Sequence, residues 1–218
     1  MRSQVLRVLL LLISTAGVSV ADTPKALILG DSISIGYTPM VTEMLQGTVT
    51  VSRPRANCGS TEAGIKSLDK WLGEKSWQVI HFNWGLHDLC YRHPESKVQG
   101  NRDKVNGTQA VAPEVYRKNL EQLVVRLKKT NAKLIFATTT VVPPEEAGRH
   151  VGDDRKYNEI ALQVMTRHGI QVNDLHRTSA AFPEDMFVGP GNVHFTKAGS
   201  RKLAEQVAEA IKLAATEE

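Results

Sequence analysis

The sequence is poor in most of the features that would place a chain in a specialised class. Only two of its 218 residues are cysteines, Cys58 and Cys90, and neither belongs to a C-x-x-C pair or a histidine cluster. That excludes a disulfide-stapled miniprotein and provides no thiolate set for zinc, so no metal site is expected. Aromatic residues make up 6% of the chain, and the formal net charge is only +4. No run of Lys and Arg interleaved with aromatics stands out, so no nucleic-acid partner is expected. The one continuously apolar run, residues 8–13, is far shorter than the roughly 20 residues a membrane span needs. Internal repeats, low-complexity tracts and Pro/Gly-rich linkers are also missing. What remains is 41% hydrophobic and 23% charged, an ordinary composition for one globular domain with a full core.

The N-terminus reads as a secretory leader. Arg2 and Arg7 form a positive segment, residues 8–13 are apolar, and Ser19-Val20-Ala21 is a small-residue cleavage site. Residues 1–21 are therefore expected to be a signal peptide, leaving one domain over residues 22–218. That domain would be secreted or periplasmic and would have no stable membrane insertion. Asp22 follows the cleavage site, so no cysteine is available there for lipid attachment.

Along the rest of the chain, short apolar or β-branched runs alternate with amphipathic segments. Strands are expected at 25–30, 48–52, 77–84, 133–140 and 170–173. Helices are expected at 39–46, 61–72, 114–130, 153–168 and 196–215, with Thr61 and Thr196 as N-caps and Gly169 as a C-cap. Residues 86–113 show no period and read as a functional excursion. Such alternation implies a five-stranded parallel sheet with helices on both faces. Ligands of such sheets bind beyond the carboxyl ends of the strands, here after Leu29, Ser52, Trp84 and Thr140.

The chemically distinctive residues lie in those loops. Gly30-Asp31-Ser32 places a serine on a tight turn between a strand and a helix. His194, in the glycine- and proline-rich segment before the last helix, is a candidate base. Gly59 follows the second strand and His87 the third. A glycine N–H and a ring N–H, together with the Ser32 N–H, form a candidate oxyanion hole. Asp31 and Asp88 read as loop-fixing carboxylates and Trp84 as packing.

In order and spacing these blocks resemble the SGNH (GDSL-like) hydrolase family. The resemblance spans about residues 25 to 213. It implies a flavodoxin-like three-layer α/β/α sandwich and a cofactor-free serine esterase acting on small-molecule or polysaccharide esters, above all O-acetyl groups on carbohydrates. Carried over by position, Ser32 is the nucleophile, His194 the base, and Ser32, Gly59 and His87 the oxyanion donors. The chain departs from the family twice: His87 replaces an asparagine, and Gly191 replaces the aspartate of the Asp-x-x-His block. His194 should therefore be oriented by a backbone carbonyl of residues 190–192 or by Glu184 or Asp185, failing which the enzyme is slow or dead. A non-catalytic carbohydrate-binding protein on the same fold is the alternative. A lipase is disfavoured by the polar segment 86–113. Cys58 and Cys90 each follow a strand end at the site rim and are expected to form a disulfide.

Overall fold

The computed structural model describes residues 23–216; the expected signal peptide lies outside them. Five parallel strands form the central sheet: β1 (Lys25–Leu29), β2 (Thr50–Ser52), β3 (Val79–Phe82), β6 (Lys133–Ala137) and β7 (Gln171–Asn173), in the order β2-β1-β3-β6-β7. β1, at the switch point, pairs with both β2 and β3 in parallel register. All four residues of β3 are buried, as expected of a strand covered on both faces. Two further strands, β4 (Tyr91–Arg92) and β5 (Thr108–Gln109), pair antiparallel outside this sheet.

On one face α1 (Ser32–Met44) packs on α6 (Lys197–Thr216). On the other, α2 (Thr61–Leu72), α3 (Pro113–Lys128) and α4 (Asp153–His168) pack in succession. The short α5 (Leu175–Ala180) contacts α6. This is the expected five-stranded three-layer α/β/α sandwich.

Two helix starts differ from the sequence reading. α1 begins at Ser32 rather than at residue 39, because the Asp31 carboxylate caps it by accepting the Ile33 N–H at 2.9 Å. Pro39 lies inside the helix. α2 is capped by Ser60 rather than Thr61. Thr61 faces inward, and its N–H and hydroxyl both donate to Asp88 Oδ1, at 2.8 and 2.5 Å.

The excursion after β3 is a folded wall. β4 and β5 close a small hairpin, and the Tyr91 and Lys104 N–H groups donate to the carbonyls of Gly148 and Ala147 in the loop after β6. A Cβ on Gly148 would lie 2.8 Å from Arg102 Cβ and 3.0 Å from Cys90 Sγ, so this close approach requires glycine.

Candidate active site

Ser32 is the first residue of α1, where a backbone N–H has no helical acceptor. Asp31 takes the next N–H, that of Ile33, and among the described residues no group takes the Ser32 N–H. The helix N-terminus adds positive potential at the same point. The Ser32 hydroxyl donates to His194 Nε2 at 2.8 Å.

His194 is held by its own loop. The Val188 N–H donates to its carbonyl at 3.0 Å, and Phe195 packs against Phe182 and Phe187 with ring centroids 5.5 and 5.1 Å apart. Asn192 Oδ1 receives both the His194 backbone N–H, at 3.0 Å, and Nδ1, at 2.8 Å. The pairing fixes the protonation pattern. A backbone N–H can only donate, so the Asn192 atom between the two groups is its carbonyl oxygen. That oxygen can only accept, so Nδ1 carries the ring proton and the Nε2 lone pair faces Ser32. Burial lowers the pKa of His194, with Asp31 opposing this and Arg149 and Arg102 reinforcing it. At neutral pH the ring is therefore an uncharged acceptor.

This arrangement corrects the sequence reading of how His194 is oriented. Its ring bonds to no backbone carbonyl and to neither Glu184 nor Asp185, which are exposed on a 3-10 turn. Nor is there room for an acid at position 191. Gly191 has φ +63°, and a Cβ there would lie 2.7 Å from the Glu145 carbonyl oxygen. The orienting role passes to the neighbouring amide. The sequence signal is the side-chain oxygen of Asn192, one position from the family's aspartate.

The proposed oxyanion donors lie on neighbouring strand ends. Gly59 has φ +58° and gives its N–H to Asn57 Oδ1 at 2.9 Å, so an incoming oxyanion must displace that exposed amide. His87 is half-buried and has no hydrogen-bond partner among the described residues, which leaves its ring N–H available. Burial lowers its pKa, with Asp31 opposing and Arg149, Arg92 and His194 reinforcing the shift.

The supporting side chains match their expected structural roles. Trp84 is fully buried and donates to the Cys58 carbonyl. Asp88 is buried on Thr61, and burial pushes its carboxyl up to about 7 against those hydrogen bonds. The expected disulfide is not formed: Cys58 and Cys90 are separate buried thiols. The Cys58 N–H and carbonyl bind Gly30 and Trp84, whereas Cys90 Sγ turns toward the Tyr91 carbonyl and the Gly148 backbone. The two side chains thus belong to different packing environments.

Sequence reasoning missed one further cluster. Glu146, fully buried, receives Arg102 Nη1 at 2.6 Å, Arg149 Nη1 at 2.8 Å and the Gly148 N–H at 2.6 Å. Arg149 Nε donates to the carbonyl of Leu86, the residue before His87, at 2.8 Å. Glu146 and Arg149 are an i,i+3 pair, but Arg102 is 44 positions from Glu146 and Leu86 is 63 from Arg149, so the sequence does not show what the pair joins. Among the described residues, no group of three or more His, Cys, Asp and Glu is placed to hold a metal ion.

Comparison with known proteins gives the family and the fold. Residues 28–202 match the model of the GDSL-like lipase/acylhydrolase family. No curated protein matches the chain. Among solved structures, a lipase/acylhydrolase from Enterococcus faecalis is 21% identical with a TM-score of 0.69, over 87% of this chain and 96% of that one. The acetyl xylan esterase AlAXEase is 17% identical with a TM-score of 0.66, over 86% and 99%. The acetylxylan esterase Axe2 from Geobacillus stearothermophilus is 15% identical with a TM-score of 0.68, over 89% and 95%. At these identities the likeness concerns the fold.

Proposed function

This chain belongs to the GDSL-like lipase/acylhydrolase family and is a carboxylic ester hydrolase, and we propose that it is a secreted deacetylase of carbohydrate esters with Ser32 as nucleophile and His194 as base. The observation that carries the reading is the 2.8 Å bond from the Ser32 hydroxyl to a His194 nitrogen whose tautomer Asn192 fixes. In the proposed reaction Ser32 Oγ attacks the acyl carbon while its proton passes to Nε2. The oxyanion takes hydrogen bonds from the Ser32 N–H, the Gly59 N–H once Asn57 releases it, and the His87 ring. Collapse expels the alcohol, which takes the proton from His194. Water, deprotonated by the same nitrogen, then cleaves the acyl-Ser32 ester and releases the carboxylic acid.

Sugar esters are favoured over lipids because the wall beside the site is polar: it carries Arg92, His93, Arg102, Asp103 and Lys104 and offers no apolar lid. The acetylxylan esterases of the same fold support the same choice. Secretion rests on the leader-like residues 1–21. The test is Ser32→Ala. It should abolish both hydrolysis of p-nitrophenyl acetate and labelling by a fluorophosphonate probe; turnover at the wild-type rate in that variant refutes the mechanism.

A further inference from the structure

The ring of His87 has no hydrogen-bond partner among the described residues, so no bond of its own fixes where it points. An oxyanion donor must nevertheless be held within about half an ångström of its working position. The restraint comes from the peptide before it. The Leu86 carbonyl accepts Arg149 Nε at 2.8 Å. That carbonyl and the His87 N–H share one planar trans unit, so fixing the oxygen fixes the plane from which the His87 side chain departs.

Arg149 is in turn aimed by Glu146. Its Nη1 donates to Glu146 Oε1 at 2.8 Å, and the residue is only 5% exposed. A guanidinium is planar, with its donors in a rigid fork. Binding Nη1 to the carboxylate therefore restricts the direction in which Nε–H can point. The carboxylate itself has little freedom. Glu146 is fully buried, Oε1 also accepts Arg102 Nη1 at 2.6 Å, and Oε2 accepts the Gly148 N–H at 2.6 Å. Gly148 is pinned as well, because its carbonyl accepts the Tyr91 N–H at 2.6 Å. Just before the carboxylate, Glu145 has φ +66°, a left-handed conformation that strains a residue with a side chain. Such strain persists where the surroundings over-determine the loop.

A buried ion cluster is a costly way to stabilise a loop, because apolar side chains of similar volume often do as well or better. What the cluster supplies here is direction. We infer that Glu146 and Arg149 are positioning residues for the ester hydrolysis: Glu146 aims the Arg149 guanidinium at the Leu86 carbonyl, and that bond holds the His87 ring at the oxyanion. Both roles rest on the esterase reading and on His87 as a donor, and both act through His87 rather than on the substrate.

The test is a double-mutant cycle on kcat with p-nitrophenyl acetate. Arg149→Met should lower kcat about 10- to 100-fold with KM little changed, because a misplacement of about 1 Å costs that much. In a His87→Ala background the same substitution should cost no more than about threefold, since the ring it positions is gone. A residue that only supports the fold would impose the same factor in both backgrounds. Glu146→Gln, of the same shape but uncharged, should show the same pattern with about a tenfold loss. If the methionine variant folds poorly, Arg149→Lys keeps the buried charge but lacks the fork. It should still lose about tenfold in kcat, and only where His87 is present. Histidine ring NMR reads the coupling without turnover. The His87 signals should shift in Arg149→Lys, while those of His168, bonded to Glu121 at the far end of α4, should not. Equal factors in the two backgrounds overturn the inference and leave the esterase reading standing. A loss carried by KM with kcat unchanged also overturns it, because Arg149 would then act in substrate binding. No ester hydrolysis by the wild-type protein refutes the esterase reading itself. An unmoved His87 signal shows separately that Arg149 does not hold the ring.

Discussion

Replacing Asn192 with aspartate puts a carboxylate oxygen where the amide oxygen now lies, 2.8 Å from His194 Nδ1 and 3.0 Å from the His194 N–H. The geometry is retained and one negative charge is added beside the base. In serine-protease triads, exchanging the aspartate for an amide costs about 10⁴-fold because the histidine then adopts the wrong tautomer. That penalty does not apply here: the backbone N–H of His194 holds the carbonyl end of Asn192 toward the ring, and the tautomer is the productive one. What the wild type lacks is a charge hydrogen-bonded to Nδ1 of the imidazolium. A hydrogen bond between neutral groups is worth about 0.5–1.5 kcal/mol net, and one to a charged group about 1.5–3 kcal/mol. The exchange should therefore gain roughly 1–2 kcal/mol in the transition state, or about 5- to 30-fold in kcat. His194 is exposed, so solvent screening places the gain at about five- to tenfold.

Two companion variants sharpen the test. Asn192→Ala removes both the bond and the tautomer lock and should lower kcat by about 10- to 100-fold. Gly191→Asp introduces the family's own residue at the family's own position, yet it should lose stability and gain no activity, because its Cβ would lie 2.7 Å from the Glu145 carbonyl oxygen. The pH profile carries a sign as well. His194 works as a base only when neutral, and its pKa is lowered in the wild type, so activity should persist below the ordinary imidazole range. A carboxylate at 192 favours the protonated ring and moves the acidic limb of kcat/KM to higher pH. The assay is initial-rate hydrolysis of p-nitrophenyl acetate across pH. The reasoning is refuted if Asn192→Asp is no faster on its plateau and Asn192→Ala stays within twofold of wild type.

Two other perturbations test the rest of the site. His87→Ala should lower kcat about 10² to 10³-fold with little change in KM, as expected for one oxyanion donor, and His87→Asn should recover part of the loss; equal mild losses in both variants would assign His87 to packing. Asp88 has a raised folded-state pKa of about 7, so the wild type should lose stability as pH rises from the unfolded carboxyl value through neutrality. Asp88→Asn can still accept both Thr61 donors without burying a charge. Its Tm advantage should be small near pH 4 and largest above pH 7, and an advantage that does not change with pH contradicts the assignment.

The parts of the fold carried by local pattern were legible in the sequence. The run Lys25–Leu29 is apolar and ends at a glycine, α4 runs over the expected residues 153–168, and Gly169 closes it in the left-handed conformation. The start of α1 was misplaced because Pro39 looks like a first-turn residue, whereas the real start is set by Asp31, an N-cap only two residues from the N–H it accepts. Ser32, His87 and His194 could be singled out because each follows a strand end or precedes a helix. Glu146 and Arg149 pair locally, but what they join, Arg102 and the Leu86 carbonyl, lies far away in sequence. The disulfide expectation failed because strand-end placement does not by itself bring two thiols together; both are free and buried.

The charge balance of the site has a consequence for how the proposed reaction is driven. In the transition state two charges form together, an imidazolium on His194 and an oxyanion near Ser32. A family aspartate would stabilise the first of these. This chain has a neutral amide there; burial lowers the pKa of His194, Asp31 opposes that shift, and Arg149 and Arg102 reinforce it. The same cations favour the second charge. Arg149 also binds the carbonyl of the residue before His87, so the turn that would carry one oxyanion donor is tied to a buried guanidinium. A lowered imidazole pKa keeps the acceptor free at the cost of basicity, while the developing alkoxide meets a helix N-terminus. Gly191 and His87 then belong to one rearrangement: the loop that brings Glu145 against residue 191 continues through Glu146 to Arg149, so the segment that excludes the acid is also the segment that delivers the cation.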